Sequence, residues 1–202
     1  MITQGSPEWF AQRCGKVTAS RIADVIAKTK TGYSASRQNY MAELAIERLT
    51  GVKAEGYTND AMKWGVEHEA DARSMYEFMS GNSVEQCGFI DHETLTSGAS
   101  PDGLVGDDGL LEIKCPNSAT HIEYLLSGEV PSKYKPQMTW QMICAKRKWC
   151  DFVSFDPRMP GNLQYFCKRY EFDSGYAAEI VSEVTAFLKD LDALVEKLRA
   201  LQ

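Results

Sequence analysis

The sequence predicts an α/β or α+β sandwich, with helices packed on a central sheet. Three observations carry that expectation: apolar residues recur at helical spacing as far as Ser80, the period changes to two between Val84 and Cys115, and an amphipathic stretch runs from Ser174 to Leu201. Ser6-Pro7-Glu8-Trp9 reads as a helix start, with a serine cap, proline at the first position and an acid in the first turn, and Gly15 ends that helix. Thr18 to Ile26 fits a short second helix on the spacing of Ile22, Val25 and Ile26, followed by a Lys/Thr/Gly/Ser loop. Met41, Leu44, Ala45 and Leu49 predict a third helix over 36–50, closed by Gly51, and 59–80 a fourth, closed by Gly81.

Strands are expected at 84–90, 95–99, 103–105 and 110–115. Gly106-Asp107-Asp108-Gly109 joins the last two as a hairpin. Two helices follow, over 118–126 and 133–146, then a strand pair at 152–155 and 163–170, and a terminal helix on Val181, Val184, Leu188, Leu191, Val195 and Leu198. The length of 202 residues suits one domain: N-terminal helices over 1–80, a sheet core over 82–172 and a C-terminal helix over 174–202.

At 44% hydrophobic and 25% charged residues the composition is that of a globular protein, and no apolar run approaches the ~20 residues that span a bilayer. No membrane partner is expected. The segment MITQGSPEWF lacks the basic stretch and apolar core of a signal peptide, so the expectation is a reducing cytoplasm in which the cysteines are thiols. The six cysteines form no CxxC pair and the three histidines do not cluster with them, which argues against structural zinc. The net charge of −6 is unfavourable to a nucleic-acid partner unless cations gather locally. Basic groups do occur at Lys28/Lys30, Arg37, Lys133/Lys135, Lys146/Arg147/Lys148 and Lys168/Arg169, each of which reads equally as a solvated face.

The stretch with most chemical content is Ser100-Pro101-Asp102-Gly103 followed by Leu111-Glu112-Ile113-Lys114-Cys115. Strand alternation puts Leu111, Ile113 and Cys115 on one face and Glu112 with Lys114 on the other, and the hairpin brings Asp102 beside Glu112. Two close carboxylates repel. A fold that keeps them together suits a hard cation such as Mg²⁺ or Mn²⁺, to which the Ile113 carbonyl can add a ligand. Lys114 on the same face can orient a water or hold the scissile phosphate of a phosphodiester. The alternative is an ordinary amphipathic strand whose Glu and Lys face water.

The arrangement resembles the PD-(D/E)xK nuclease core, and in more detail the lambda phage exonuclease family of viral recombination nucleases. Matching positions run through nearly the whole chain: Trp9 with Arg13, Gly15 to Ser20, Val25 to Lys28, Trp64-Gly65 with Glu69, Asp71-Ala72-Arg73, Ser100 to Leu104, Leu111 to Pro116, and Asp156 to Met159. The resemblance implies a restriction-endonuclease-like fold, a mixed central sheet flanked by helices. It implies a metal site of Asp102, Glu112 and the Ile113 carbonyl, Lys114 as the catalytic lysine, Glu69 arriving from a helix, and Gln137 supporting the lysine or water. It further implies a pocket for a 5′-terminal phosphate formed by Arg13, Thr18 and Ser20, with Ser100 nearby, a chemistry suited to an arginine fork and hydroxyls. Lys30 stands where the family pattern has arginine and loses bidentate geometry, and Met62 stands in place of a leucine that wedges the strands apart.

Read alone, most of these residues have plainer roles: a solvated Glu69 beside Glu67, a helix-surface Gln137, capping hydroxyls at Thr18 and Ser20, a core methionine at Met62. With the resemblance, the expected activity is a Mg²⁺-dependent, processive 5′→3′ exonuclease on double-stranded DNA that releases 5′-mononucleotides and leaves a 3′ strand for recombination. The implied partners are duplex DNA with a 5′-phosphorylated end, a homotrimeric ring around the product strand, and a single-strand annealing protein, all in the cytoplasm of a cell hosting a phage or prophage. A structure-specific or restriction-type endonuclease and an inactive DNA-binding recombination partner are the competing readings.

Overall fold

The computed structural model describes residues 2–53 and 60–201, the side chain of Met62 excepted. Helix α1 (Pro7–Arg13) begins where expected, the Ser6 hydroxyl accepting the Trp9 N–H. The predicted helix over 18–26 is shorter. Val17–Thr18 form strand β1, residues 19–21 make a 3₁₀ turn, and α2 covers Ile22–Ile26. The reason is a long-range competition: β1 pairs in parallel with a later strand, and the Thr18 N–H donates to the Tyr40 hydroxyl at 3.1 Å. The loop after it is a small hairpin, β2 (Lys28–Thr29) and β3 (Gly32–Tyr33), with Lys30 at its tip. Helices α3 (Ala35–Thr50) and α4 (Asp60–Ser80) follow, and the predicted start of the latter at Asn59 lies outside the described residues. Gly81 ends α4 at φ +71°, its N–H bonding back to the Glu77 carbonyl.

The single strand expected over 84–90 is two strands in different sheets, β4 (Val84–Glu85) and β5 (Ile90–Asp91). Between them the chain passes under the N-terminus, where a Cβ on Gly88 would stand 2.6 Å from the Ile2 carbonyl oxygen. Then come β6 (Ser97–Ala99), β7 (Gly103–Val105), β8 (Gly109–Lys114), α5 (Ser118–Ser127), α6 (Lys135–Ala145), β9 (Trp149–Phe155), β10 (Tyr165–Glu171) and α7 (Ser174–Arg199). The helix predicted from Lys133 starts two residues later, after a 3₁₀ turn over 132–134.

The central sheet has the order β10-β9-β8-β7-β4 and is mixed. Only β8 and β9 run parallel, as their connection through α5 and α6 requires. Helix α4 covers one face of it, packing Ala72 and Tyr76 on Leu111, Ile113, Val153 and Phe155. Helices α5 and α6 cover the other, where Tyr124, Met138 and Met142 meet Leu110, Cys150 and Phe152. A second sheet, β1-β6-β5, is backed by a core of α2, α3, α6 and α7 that includes Tyr40, Leu44, Trp140, Phe187 and Leu191. Alternation along β8 therefore leaves no polar face open to water: Glu112 points to the α6 side and is 1% exposed. The six cysteines are unpaired thiols. Among the described residues no helix is long and apolar enough to cross a membrane.

Candidate active site

Strand β7 leaves the Ser100–Gly103 turn and returns as β8, with Gly103 opposite Leu111. The turn is closed twice, by the Asp102 N–H to the Leu111 carbonyl at 3.0 Å and by the Ile113 N–H to Asp102 Oδ2 at 2.6 Å. These bonds hold the Asp102 carboxylate beside the middle of β8. Gly103 has no room for a side chain, since a Cβ would meet Val84 Cγ1 at 2.1 Å. Asp102, Ile113 and Lys114 line a cavity of about 450 Å³ together with Glu69, Gly65 and Val66 of α4, and Cys115, Pro116 and Tyr134.

Glu112 is held at both oxygens. Lys114 Nζ lies 2.5 Å from Oε1, Gln137 Nε2 donates to Oε1 at 2.6 Å, and Gln141 Nε2 donates to Oε2 at 2.6 Å. Gln141 is fully buried and was not singled out in the sequence. The available signal was its i,i+4 spacing from Gln137, which puts both carboxamides on one face of α6. Burial and then the charge of Glu112 push the Asp102 carboxyl well above the usual range, although Lys114 and the Ile113 N–H pull the other way. For Lys114 burial disfavours the charge, but Glu112 and Asp102 outweigh it, and the ammonium is held more firmly than usual.

Among the described residues no three His, Cys, Asp or Glu side chains gather as a ready metal cage. Asp102 and Glu112 are two, and Glu69 reaches the same cavity while its Oε1 pairs with Arg73 Nη2 at 2.5 Å. Two carboxylates and a peptide carbonyl are nevertheless hard oxygen donors of the kind a small divalent cation takes, usually completed by waters and substrate phosphate. The raised Asp102 proton affinity comes first from burial and next from the neighbouring Glu112 charge, which Lys114 does not offset.

Beside this cluster, Ser100 Oγ accepts from Trp9 Nε1 at 3.0 Å and from Arg13 Nη1 at 3.2 Å, and the Arg13 guanidinium stacks 3.9 Å from the Trp9 ring. Arg13 meets no carboxylate among the described residues, its Nε is buried without a partner, and desolvation lowers its pKa to about 10. Thr18 is buried opposite Gly98 in the β1–β6 pairing, with its hydroxyl 3.4 Å from that of the exposed Ser20. The structure thus brings together Asp102, Glu112, Ile113, Lys114, Glu69 and Gln137, and places Arg13 on Ser100 two residues away. It does not bring Lys30 to them: that residue is exposed at the β2–β3 tip. The side chain of Met62 lies outside the described residues. Asp156, fully buried, forms an ion pair with Arg158, whose guanidinium lies 4.3 Å from the Trp64 ring of α4 and donates to the Pro116 carbonyl.

Residues 8–148 match the YqaJ-like viral recombinase domain. The chain is similar to the crystal structure of an alkaline exonuclease, LHK-Exo, from Laribacter hongkongensis, with TM-score 0.90 and 53% identity over 96% of this chain and 97% of that one. The structure of LHK-Exo in complex with dAMP superposes with TM-score 0.91 at the same identity and coverage. A phage-related exonuclease from Haemophilus somnus matches with TM-score 0.72 at 18% identity, over 91% of this chain and 96% of that one, a likeness of fold. No curated protein sequence matches the chain.

Proposed function

We propose, from the premise that this chain belongs to the YqaJ-like viral recombinase family and is a DNA exonuclease with an alkaline-exonuclease fold, that it degrades double-stranded DNA in the 5′→3′ direction from 5′-phosphorylated ends, with Mg²⁺ as cofactor. The observation that carries this reading is the convergence of Asp102 and Lys114 on one cavity, with the buried Glu112 paired to Lys114 behind it and Arg13 bonded to Ser100 nearby. Asp102, Glu112 and the Ile113 carbonyl would hold the cation, and Mn²⁺ has the same preference for oxygen donors. When bound, the cation supplies charge stabilisation to the phosphoryl group under attack.

The other steps belong to side chains. Gln137 and Gln141 anchor Glu112, so its carboxylate does not swing as substrate arrives. Lys114 keeps its proton and offers a fixed N–H donor to the scissile phosphate or the attacking water. Glu69 exchanges Arg73 for the site. Arg13, unpaired and partly desolvated, offers its charge to a terminal phosphate with the hydroxyls of Ser100, Thr18 and Ser20, which sets the register of cleavage at the first phosphodiester. LHK-Exo binds dAMP, and a cavity of about 450 Å³ supports release of single 5′-mononucleotides. Processivity through a ring-shaped homotrimer, hand-over of the 3′ strand to a single-strand annealing protein, strand separation by Met62 and a backbone contact from Lys30 complete the proposal.

Incubation of linear and covalently closed circular duplex with the protein and Mg²⁺ tests it. Mononucleotides from the linear form alone, abolished by EDTA and by Asp102→Ala, are expected; cut circles would replace this reading with an endonuclease.

A further inference from the structure

The basic groups of this acidic chain are largely matched by carboxylates. Lys28 pairs with Glu183, Lys146 with Glu93, Lys148 with Asp108, Lys168 with Glu129 and Arg169 with Asp151. Lys133 and Lys135 differ. Among the described residues neither meets a carboxylate; each ammonium stands over aromatic rings instead. Lys133 Nζ is 4.9 Å from the ring centre of Tyr134 and 5.6 Å from that of Tyr124, and Lys135 Nζ is 5.8 Å from that of Tyr170. The distinction is physical: a carboxylate cancels a cation's field, whereas a ring face steadies it and leaves the charge available to an incoming anion.

Tyr134 lines the cavity of Asp102 and Lys114. Lys135 is set apart from it: Tyr170, over which its ammonium stands, pairs with Cys150 beside Leu110, four residues back along β8 from Lys114. The Tyr134 ring is 5.2 Å from Lys114 Nζ as well as 4.9 Å from Lys133 Nζ, so these two ammonium groups are no more than about 10 Å apart. Each strand of a duplex presents a phosphate per ~3.4 Å of axis, so that span covers the scissile phosphate and its next neighbours on the same strand. Among the described residues Lys30, Arg147, Lys189 and Lys197 also meet no carboxylate, but Lys30 sits at a hairpin tip, Arg147 donates to the Gly106 carbonyl, Lys189 and Lys197 lie on α7, and none of them adjoins a residue lining the cavity.

We propose that Lys133, steadied by Tyr124 and Tyr134 beside Lys114, grips a backbone phosphate of the cleaved strand next to the scissile bond. The proposal rests on the exonuclease reading. It adds the site that keeps the remaining strand in place after each nucleotide leaves.

The test is fluorescence anisotropy of a 5′-phosphorylated duplex with Asp102→Ala protein, without Mg²⁺, over a KCl series. Lys133→Ala is expected to reduce the slope of log K against log[salt] by about 0.9. Lys197→Ala, an exposed lysine of α7, is expected to leave it unchanged. In a second arm, neutral methylphosphonates replace the linkages next to the first one; they should weaken binding to the protein with Lys133 and cost nothing further in Lys133→Ala. An unchanged slope in Lys133→Ala, an equal fall in Lys197→Ala, or a methylphosphonate penalty shared by both proteins would overturn the contact. Failure of the exonuclease reading is seen separately, as linear duplex left intact by the wild-type protein with Mg²⁺.

Discussion

Gln141 shows how much of this site is set by groups that never touch substrate. Its carboxamide is fully buried and donates to Glu112 Oε2, while Gln137 and Lys114 occupy Oε1. Partners that orient a ligand typically change metal affinity by about 10–100-fold when removed. Gln141→Ala is therefore expected to weaken Mg²⁺ binding by that factor in calorimetric titration, alongside a loss of about 1–3 kcal/mol in denaturant unfolding from the Glu112 oxygen left without its donor. Unaltered Mg²⁺ affinity would make Gln141 a packing residue only. Its role was illegible in the sequence because a glutamine pair at i,i+4 acquires meaning only when α6 closes over the Glu112 face of β8. Asp102, Glu112 and Lys114 were legible because a hairpin and strand alternation are local. Arg13 was reachable only through the family pattern, since Ser100 is 87 residues away in the chain.

Elements carry the site into place. The β1 segment reaches β6 through Gly15, at φ +69°, whose N–H donates to Glu47 and whose carbonyl accepts from Arg48 Nε. A Cβ there would meet Arg48 Cγ at 2.8 Å. Gly15→Ala is expected to cost about 1–3 kcal/mol in denaturant unfolding and to reduce the preference for phosphorylated ends, because Arg13 lies at the end of α1 just before the turn. A similar joint ties α4 to the end of β9. Asp156 accepts from the Arg158 backbone and guanidinium, and despite burial these bonds depress its pKa to about 2. Its stabilising effect is fully present above the unfolded value of ~3.8 and is lost as pH falls through about 2. Asp156→Asn should therefore lower wild-type stability at pH 7 and narrow that difference between pH 4 and pH 2, measured by urea unfolding across that range; a constant difference would exclude the linkage. Element boundaries misread from the sequence share one cause: Val84–Glu85 and Ile90–Asp91 join different sheets, and Thr18 leaves a helical pattern, through pairings with distant strands that no local periodicity encodes.

At the scale of the whole molecule, a net charge of −6 is reconciled with a DNA substrate by distribution. Among the described residues carboxylates neutralise most cations, while Arg13, bonded to Ser100 near Asp102, and Lys133, beside Tyr134, meet none. A ring of three copies with these cations turned inward would present its acidic surface outward. Light scattering of the purified protein is expected to give three times the chain mass of 22.6 kDa; a monomer at micromolar concentration would remove the ring and the processivity attributed to it. The central claim is that one cavity holds the terminal phosphate and hydrolyses the bond next to it. It is tested most directly with a linear duplex bearing a 5′-phosphate at one end and a 5′-hydroxyl at the other, each strand carrying its own internal label. With Mg²⁺, the account predicts rapid loss of the phosphorylated strand to mononucleotides and slow loss of the other, a difference erased in Arg13→Ala; equal loss of both strands by the wild-type protein, or digestion from the 3′ ends, would contradict it.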